Sequence, residues 1–325
     1  MRAFVTGGTG FVGSHLVEAL LESKKYEEVR CLIRSSEKWL KGMDITPVLG
    51  DLDNYHTIAD ALDGVDVIFH IAGLTKAPKN KDFTAANVDA TENLMRIAQK
   101  KGISNIVILS SLAAVGPSQG TPLTEKAPLR PVSMYGNSKK RMEVMISKTV
   151  LDSDSIKIIR PPAVYGPREA DIYTFFKTYK MGLCPMVGDG NHPRLSLVYV
   201  KDLVDGIMKA SEKTDAGVHT YFMGGELDSY TWNQISAVTG RILEVKPLTL
   251  KLKPNWVRNV ASVIETGASL FGKYPVVNKE KATEMVEEWV CSSRKAIKEL
   301  GYNPSTTLEE GLSRTLHWYK HNNWL

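Results

Sequence analysis

The chain opens on a short strand-like run, Arg2–Val5, that passes directly into Thr6-Gly7-Gly8-Thr9-Gly10-Phe11-Val12-Gly13-Ser14-His15. An apolar run that breaks into three spaced glycines and then turns helical leaves few folds open. Gly7, Gly10 and Gly13 permit a tight turn, close approach of backbone to a pyrophosphate, and close packing of helix on strand. The helix N-terminus that follows attracts negative charge. An ordinary turn uses the same residues, but the position as the first βα turn favours dinucleotide binding by Gly7, Thr9, Gly10, Phe11, Val12 and Gly13.

The rest of the first half repeats one unit, a β-branched run, a turn and a helix-like stretch. Strands are predicted at Arg2–Thr6, Val29–Arg34, Pro47–Gly50, Asp66–His70, Ile106–Ser111 and Ile156–Arg160, and helices at Ser14–Leu21, Tyr55–Leu62, Phe83–Lys101 and Val132–Val150. Right-handed crossovers make this an α/β fold, a Rossmann-type doubly wound parallel sheet. After Arg160 the pattern loosens into Pro- and Gly-rich segments. The expected organisation is a dinucleotide-binding domain over 1–165 with a returning segment near 196–223. A smaller substrate-binding region over 166–195 and 224–325 completes it.

At 325 residues the chain can bury a large core, and 43% hydrophobic with 24% charged residues excludes wholesale disorder. No apolar run approaches the length of a membrane span, and the N-terminus carries no secretory leader pattern. Three scattered cysteines suggest no disulfide framework, so a reducing, cytoplasmic setting is expected. The net charge of +5 is too diffuse for nucleic acid, and the seven histidines show no metal-ligand spacing.

The second strand of a dinucleotide fold usually ends in an acid that holds the adenosine ribose of NAD. Here it ends Ile33-Arg34-Ser35-Ser36. Arg34 and the Ser35 hydroxyl suit a 2′-phosphate, with Lys38 close by, which favours NADP over NAD. Against this, Arg34 serves equally well stacked on adenine or turned to solvent. Asp51 and Leu52, at the end of the third strand, suit the adenine edge, and small Ala72 and Gly73 let a nicotinamide ribose lie against the backbone.

Tyr135 and Lys139 stand four residues apart, on one helix face. The same spacing recurs at Tyr173–Lys177, so context must choose. Upstream of Tyr135 the fifth strand ends in Ser110-Ser111, at the edge where ligands sit in doubly wound sheets. Hydride exchange with a carbinol carbon requires a matching proton transfer on oxygen, for which Tyr135 is the candidate acid/base. A free phenol titrates near about 10, so Lys139 is expected to stabilise phenolate and to hold ribose hydroxyls. Ser111 is expected to orient the substrate oxygen. A surface hydroxyl and a helix ion pair are the plainer readings of each residue alone.

With these motifs in place the sequence resembles the extended short-chain dehydrogenases/reductases, the NAD-dependent epimerase/dehydratase family, along essentially its whole length. The resemblance implies that Ser111, Tyr135 and Lys139 are catalytic and that Asn87, in Asn87-Val88-Asp89-Ala90, supports a proton-relay water or the lysine. Arg160-Pro161-Pro162-Ala163-Val164-Tyr165-Gly166-Pro167 and Leu197-Val198-Tyr199-Val200-Lys201-Asp202 are similar to later family motifs, as is Ser293–Tyr302. It also implies a small-molecule substrate and a homodimer through the helices near 83–101 and 132–150.

Departures from the family pattern narrow the branch. The sugar dehydratases carry Asp-Glu after the serine or threonine, where this chain has Leu112 and Ala113. Ala163 stands where the epimerases typically carry Asn, and Leu195, next to Arg194, where they carry Arg. Arg160-Pro161, Gly188-Asp189-Gly190-Asn191 and Arg34 look more like 3β-hydroxysteroid dehydrogenases and dihydroflavonol reductases. The leading expectation is therefore hydride transfer to or from an apolar secondary alcohol or ketone. Its rivals are a nucleotide-sugar epimerase and a noncatalytic NADP sensor. Trp256–Phe271 carries an amphipathic stripe (Val257, Val260, Ala261, Ile264, Phe271) that suits an apolar substrate or a membrane surface, though core packing is the expected use.

Overall fold

The computed structural model describes residues 1–257, 259–262 and 279–325. Alternating β-branched runs and helix-forming stretches produce β1 (Arg2–Thr6), α1 (Phe11–Ser23), β2 (Glu28–Ile33), β3 (Thr46–Leu49), α2 (Tyr55–Ala61) and β4 (Val67–His70). They continue through α3 (Asn80–Thr84), α4 (Ala90–Lys100), β5 (Asn105–Leu109), α5 (Met134–Thr149) and β6 (Ser155–Arg160). Then come β7 (Ala163–Tyr165), α6 (Asp171–Lys180), β8 (Leu183–Val187), β9 (Leu197–Tyr199), α7 (Val200–Glu212) and β10 (Gly217–Phe222). After α8 (Trp232–Leu243) and β11 (Leu248–Leu252), helices lie at Lys279–Val286, Arg294–Leu300 and Leu308–His321.

Seven strands form one parallel sheet in the order β10-β6-β5-β4-β1-β2-β3. The order reverses between β1 and β4, which opens a crevice at their carboxyl ends. Successive side chains of a strand point to opposite faces, so the strands are apolar on both sides. Ala3, Val5, Cys31, Phe69 and Val107 pack with Leu16 and Leu20 of α1 and Leu203 and Ile207 of α7. Phe4, Ile68, Ile106 and Ile158 pack on the other face with Ile58, Leu94, Met142 and Ile146. A third cluster, around Tyr165, Phe176, Tyr199, Leu312 and Tyr319, lies outside the sheet in the later half of the chain.

Several sequence expectations need adjusting. β10, in the segment expected to return near 196–223, is a seventh sheet strand, paired to β6 from Gly217↔Ser155 to Phe222↔Arg160. The single helix expected at Phe83–Lys101 starts at Asn80 and widens into a π turn, Ala85–Asp89, which swings Asn87 inward. α1 starts at Phe11 rather than Ser14, because Gly10 is its N-cap. Core packing fails for part of the amphipathic stripe: Ala261 is buried and Val257 half-buried, but Val260 is exposed, while Ile264 and Phe271 lie outside the described residues.

Candidate active site

The glycine loop closes on itself at the crevice. Gly10 N–H donates to the Gly7 carbonyl at 3.0 Å, and Ser14 N–H donates to Gly10 at 3.0 Å. Gly7 adopts φ +74°, and a Cβ there would stand 2.5 Å from the Ala72 nitrogen. A Cβ on Gly13 would stand 2.0 Å from the Gly7 oxygen, so only glycine lets α1 approach the loop this closely. Thr9 and Gly10 stand at the turn into α1, and Phe11 and Val12, its first residues, pack partly against the aromatic cluster. A backbone cradle at a helix N-terminus, too tight for any Cβ, fits a pyrophosphate.

Arg34 and Asp51 lie just past β2 and β3, with the guanidinium 4.0 Å from the carboxylate. Arg34 is 78% exposed along its side chain, and Ser35 is exposed beside it. Leu52 is buried, and its carbonyl accepts from the Asn93 side chain. Strands stand about 4.8 Å apart, so this end of the crevice lies about three strand spacings from the end of β5. The crevice thus has two separate ends, one past β2 and β3 and one past β4 and β5.

At the reacting end a hydrogen-bonded relay joins four elements. Thr6 Oγ1 contacts His70 Nδ1 at 2.7 Å, and His70 Nε2 contacts Thr91 Oγ1 at 2.8 Å. Thr91 donates to the Asn87 carbonyl at 2.9 Å, and the Asn87 amide nitrogen donates to Ser138 Oγ at 2.9 Å. Asn87 Oδ1 accepts from Leu74 N–H at 2.7 Å. Asn87 therefore orders the backbone after Ala72 and Gly73. Both Asn87 Oδ1 and Lys139 Nζ sit close to Gly73, at 3.3 and 3.1 Å from where its Cβ would be.

Lys139 is buried on α5 and donates to the Leu109 carbonyl at 2.7 Å. Burial lowers its ammonium to about 8, partly offset by Glu143. Burial, aided by the Lys139 charge, drives His70 down to about 3, so its imidazole is neutral.

Ser111, just past β5, lies close enough to the Tyr135 phenol to oppose the rise of its pKa, and accepts from Ala113 N–H at 3.1 Å. The two are brought together because Gly136 lets α5 press on the 112–114 turn, where a Cβ would be 2.3 Å from the Ala113 oxygen. The Ser133 side chain caps α5 by accepting from Gly136 N–H at 3.2 Å. Burial pushes the Tyr135 phenol up to about 12; Ser111 opposes the shift and Glu284 adds to it. The expectation that Lys139 stabilises phenolate is not met in this state, because its ammonium is turned to Leu109.

The sequence reading missed Glu143 and Arg160 as partners. Arg160 Nε donates to Glu143 at 3.0 Å and Nη2 donates at 2.5 Å, with Ser110 Oγ donating to the same carboxylate. A carboxylate one helical turn after Lys139 was the available signal, but its arginine lies on another strand. The competing pair Tyr173–Lys177 is a decoy: the Tyr173 hydroxyl donates to the Trp324 carbonyl inside the aromatic cluster, and Lys177 is exposed.

Comparison with known proteins agrees with this geometry. The model of the "NAD dependent epimerase/dehydratase family" matches residues 3–224. The chain is 31% identical to the uncharacterized protein y4nL of Sinorhizobium fredii, covering 97% of this chain and 94% of that one. It is 26% identical to the ceramide reductase of Caulobacter vibrioides, covering 99% and 95%. Among solved structures, DesIV, a dTDP-glucose 4,6-dehydratase from Streptomyces venezuelae with NAD bound, superposes with a TM-score of 0.80 at 26% identity, covering 100% and 98%. The chain belongs to the NAD-dependent epimerase/dehydratase family and is an enzyme of the extended short-chain dehydrogenase/reductase type.

Proposed function

We propose that the protein reduces a ketone of an apolar small molecule to the secondary alcohol, or the reverse, with NADP preferred over NAD. The observation that carries this reading is the convergence of Ser111, Tyr135 and buried Lys139 at the carboxyl edge of the sheet, with the Lys139 ammonium beside Gly73. A bound nicotinamide dinucleotide supplies the hydride chemistry. Gly7, Thr9, Gly10, Phe11, Val12 and Gly13 would hold its pyrophosphate end, and Ala72, Gly73 and Lys139 its nicotinamide ribose.

Tyr135 transfers the proton at its phenolic oxygen, and Ser111 holds the substrate oxygen next to it. With the phenol raised to about 12, Tyr135 is protonated at neutral pH and holds the proton that a ketone oxygen would receive. Phe83, its ring 6.3 Å from that of Tyr135, and Leu112, beside Ser111, are buried apolar side chains that flank the two hydroxyls.

A nucleotide sugar is disfavoured by charge. Arg194, next to the position where epimerases carry an arginine, is held by Glu288 through two hydrogen bonds of 3.0 Å. The ceramide reductase similarity supports a lipid-like ketone, and exposed Arg34 with Ser35 supports the 2′-phosphate of NADP. A catalytic lobe over 1–165 and 196–223 with a substrate lobe from the remainder, a homodimer through α4 and α5, and a cytoplasmic setting complete the proposal. Among the described residues no helix is long and apolar enough to cross a membrane.

The test is nicotinamide absorbance with NADPH or NADH against long-chain ketones, ketosteroids, flavonoid ketones and nucleotide sugars, with product analysis. Net cofactor oxidation on an apolar ketone, lost in Tyr135→Phe while cofactor still binds, supports the proposal. Conversion of a sugar with no net change in cofactor would overturn it in favour of an epimerase. Function unchanged in Tyr135→Phe would indicate a sensor.

A further inference from the structure

β8 and β11 form a separate two-stranded parallel sheet, with Leu183 beside Leu248 and Pro185 beside Leu250. Its inner side chains, Cys184 and Met186, are buried under it with Tyr179. Its outer side chains have no cover among the described residues. Leu248 is 65% exposed and Met181, two residues before Leu183, is 74% exposed. Trp256, in the helical stretch that follows β11, is 67% exposed, and Val260 beyond it is exposed too. Of the fourteen large apolar side chains exposed among the described residues, six fall within residues 181–183 and 248–260. Scattered exposure is ordinary, but Leu183, Leu248 and Leu250 stand side by side on one face, with Met181, Trp256 and Val260 in the adjoining segments, and such concentration marks an interaction surface.

The charges around this face are nearly all positive. Lys177 and Lys180 end α6, and Lys246 and Lys253 flank β11. All four are exposed, and none is in an ion pair among the described residues. Glu244 is the only carboxylate within residues 177–187 and 244–262.

We propose that this face seats the protein on an anionic lipid bilayer, the apolar side chains entering the headgroup boundary and the lysines meeting lipid phosphates. Apolar residues flanked by lysines are the pattern of an interfacial anchor, and long lysine stems let the charge reach the headgroups while the apolar residues descend. A second copy is a poor occupant, because a two-fold contact would set these lysines against their own copies. The surface is independent of the proposed reaction, and its test reads partitioning rather than turnover.

The experiment is cosedimentation of the full chain with vesicles of mixed phosphatidylcholine and phosphatidylglycerol, against phosphatidylcholine alone. The expected result is partitioning to the anionic vesicles about tenfold or more above the neutral ones, declining as salt is raised. Leu248→Glu with Leu250→Glu should reduce it about tenfold, and Lys246→Glu with Lys253→Glu should remove the preference for anionic lipid. Cofactor binding, measured alongside, should be unchanged in both variants. No partitioning of the wild type, or equal partitioning of wild type and variants, would overturn the proposal. So would a dimer in sedimentation that the leucine substitutions dissolve, which would assign the face to a second copy.

Discussion

Arg160 and Glu143 form a buried ion pair directly behind the reacting groups, and Ser110, the neighbour of Ser111, donates to the same carboxylate. The pair therefore joins the ends of β5 and β6 to the helix that carries Tyr135 and Lys139. A buried pair adds little net stability when intact, but removing one partner strands the other charge. Glu143→Gln should lower unfolding free energy by about 3–5 kcal/mol, whereas Glu143→Met with Arg160→Met should recover most of it. Denaturant titration of the single and double variants checks this, and equal losses in both would show that the pairing is not what matters.

Two groups give the fold a calculable pH dependence. His70 titrates near 6.5 when unfolded but at about 3 when folded, so the unfolded chain binds more protons between those values. Stability is full above about 6.5 and declines as pH falls toward 3. Lys139 is lowered from 10.5 to about 8, so its contribution makes the fold more stable as pH rises from 8 to 10.5. Lys139→Met should accordingly stabilise the ligand-free chain at pH 7 by about 1–3 kcal/mol while abolishing turnover. Thermal melts across pH, compared for wild type and variant, read both effects. A lower melting temperature for Lys139→Met at pH 7 would contradict them.

Gly136 governs how Tyr135 meets Ser111. An alanine there puts its Cβ 2.3 Å from the Ala113 carbonyl oxygen, so α5 must move outward. Gly136→Ala should cost about 1–3 kcal/mol of stability, and kcat should fall about 100-fold through misplacement of the phenol. Cofactor affinity, set largely at the glycine loop, should change little. Steady-state kinetics with a separate cofactor titration distinguishes this from general loss of fold.

Arg34 is exposed and its neighbouring Asp51 lies 4.0 Å away, a contact worth little in water. Replacing it with acid reverses the charge facing a 2′-phosphate. Arg34→Asp should shift the ratio of kcat/KM for NADP over NAD by about 10- to 100-fold toward NAD. A ratio that stays constant would remove Arg34 from cofactor choice.

The doubly wound sheet, the glycine turn and the Tyr135–Lys139 spacing are readable in the sequence because each is local. A two-residue period makes a strand, a glycine spacing makes a turn, and a four-residue interval places Tyr135 and Lys139 on one face of α5. Tertiary structure decided what those groups meet. It set the Tyr135 phenol in a desolvated position and aimed Lys139 at Leu109. It also committed Arg194 to Glu288 and paired Arg160 with Glu143, residues brought together only when separate strands and helices dock. The same packing exposed Trp256 and Leu248, whose apolar character in sequence resembles that of any core residue. Periodicity specifies which face of an element is apolar, whereas protonation, pairing and exposure depend on what distant segments place against that face.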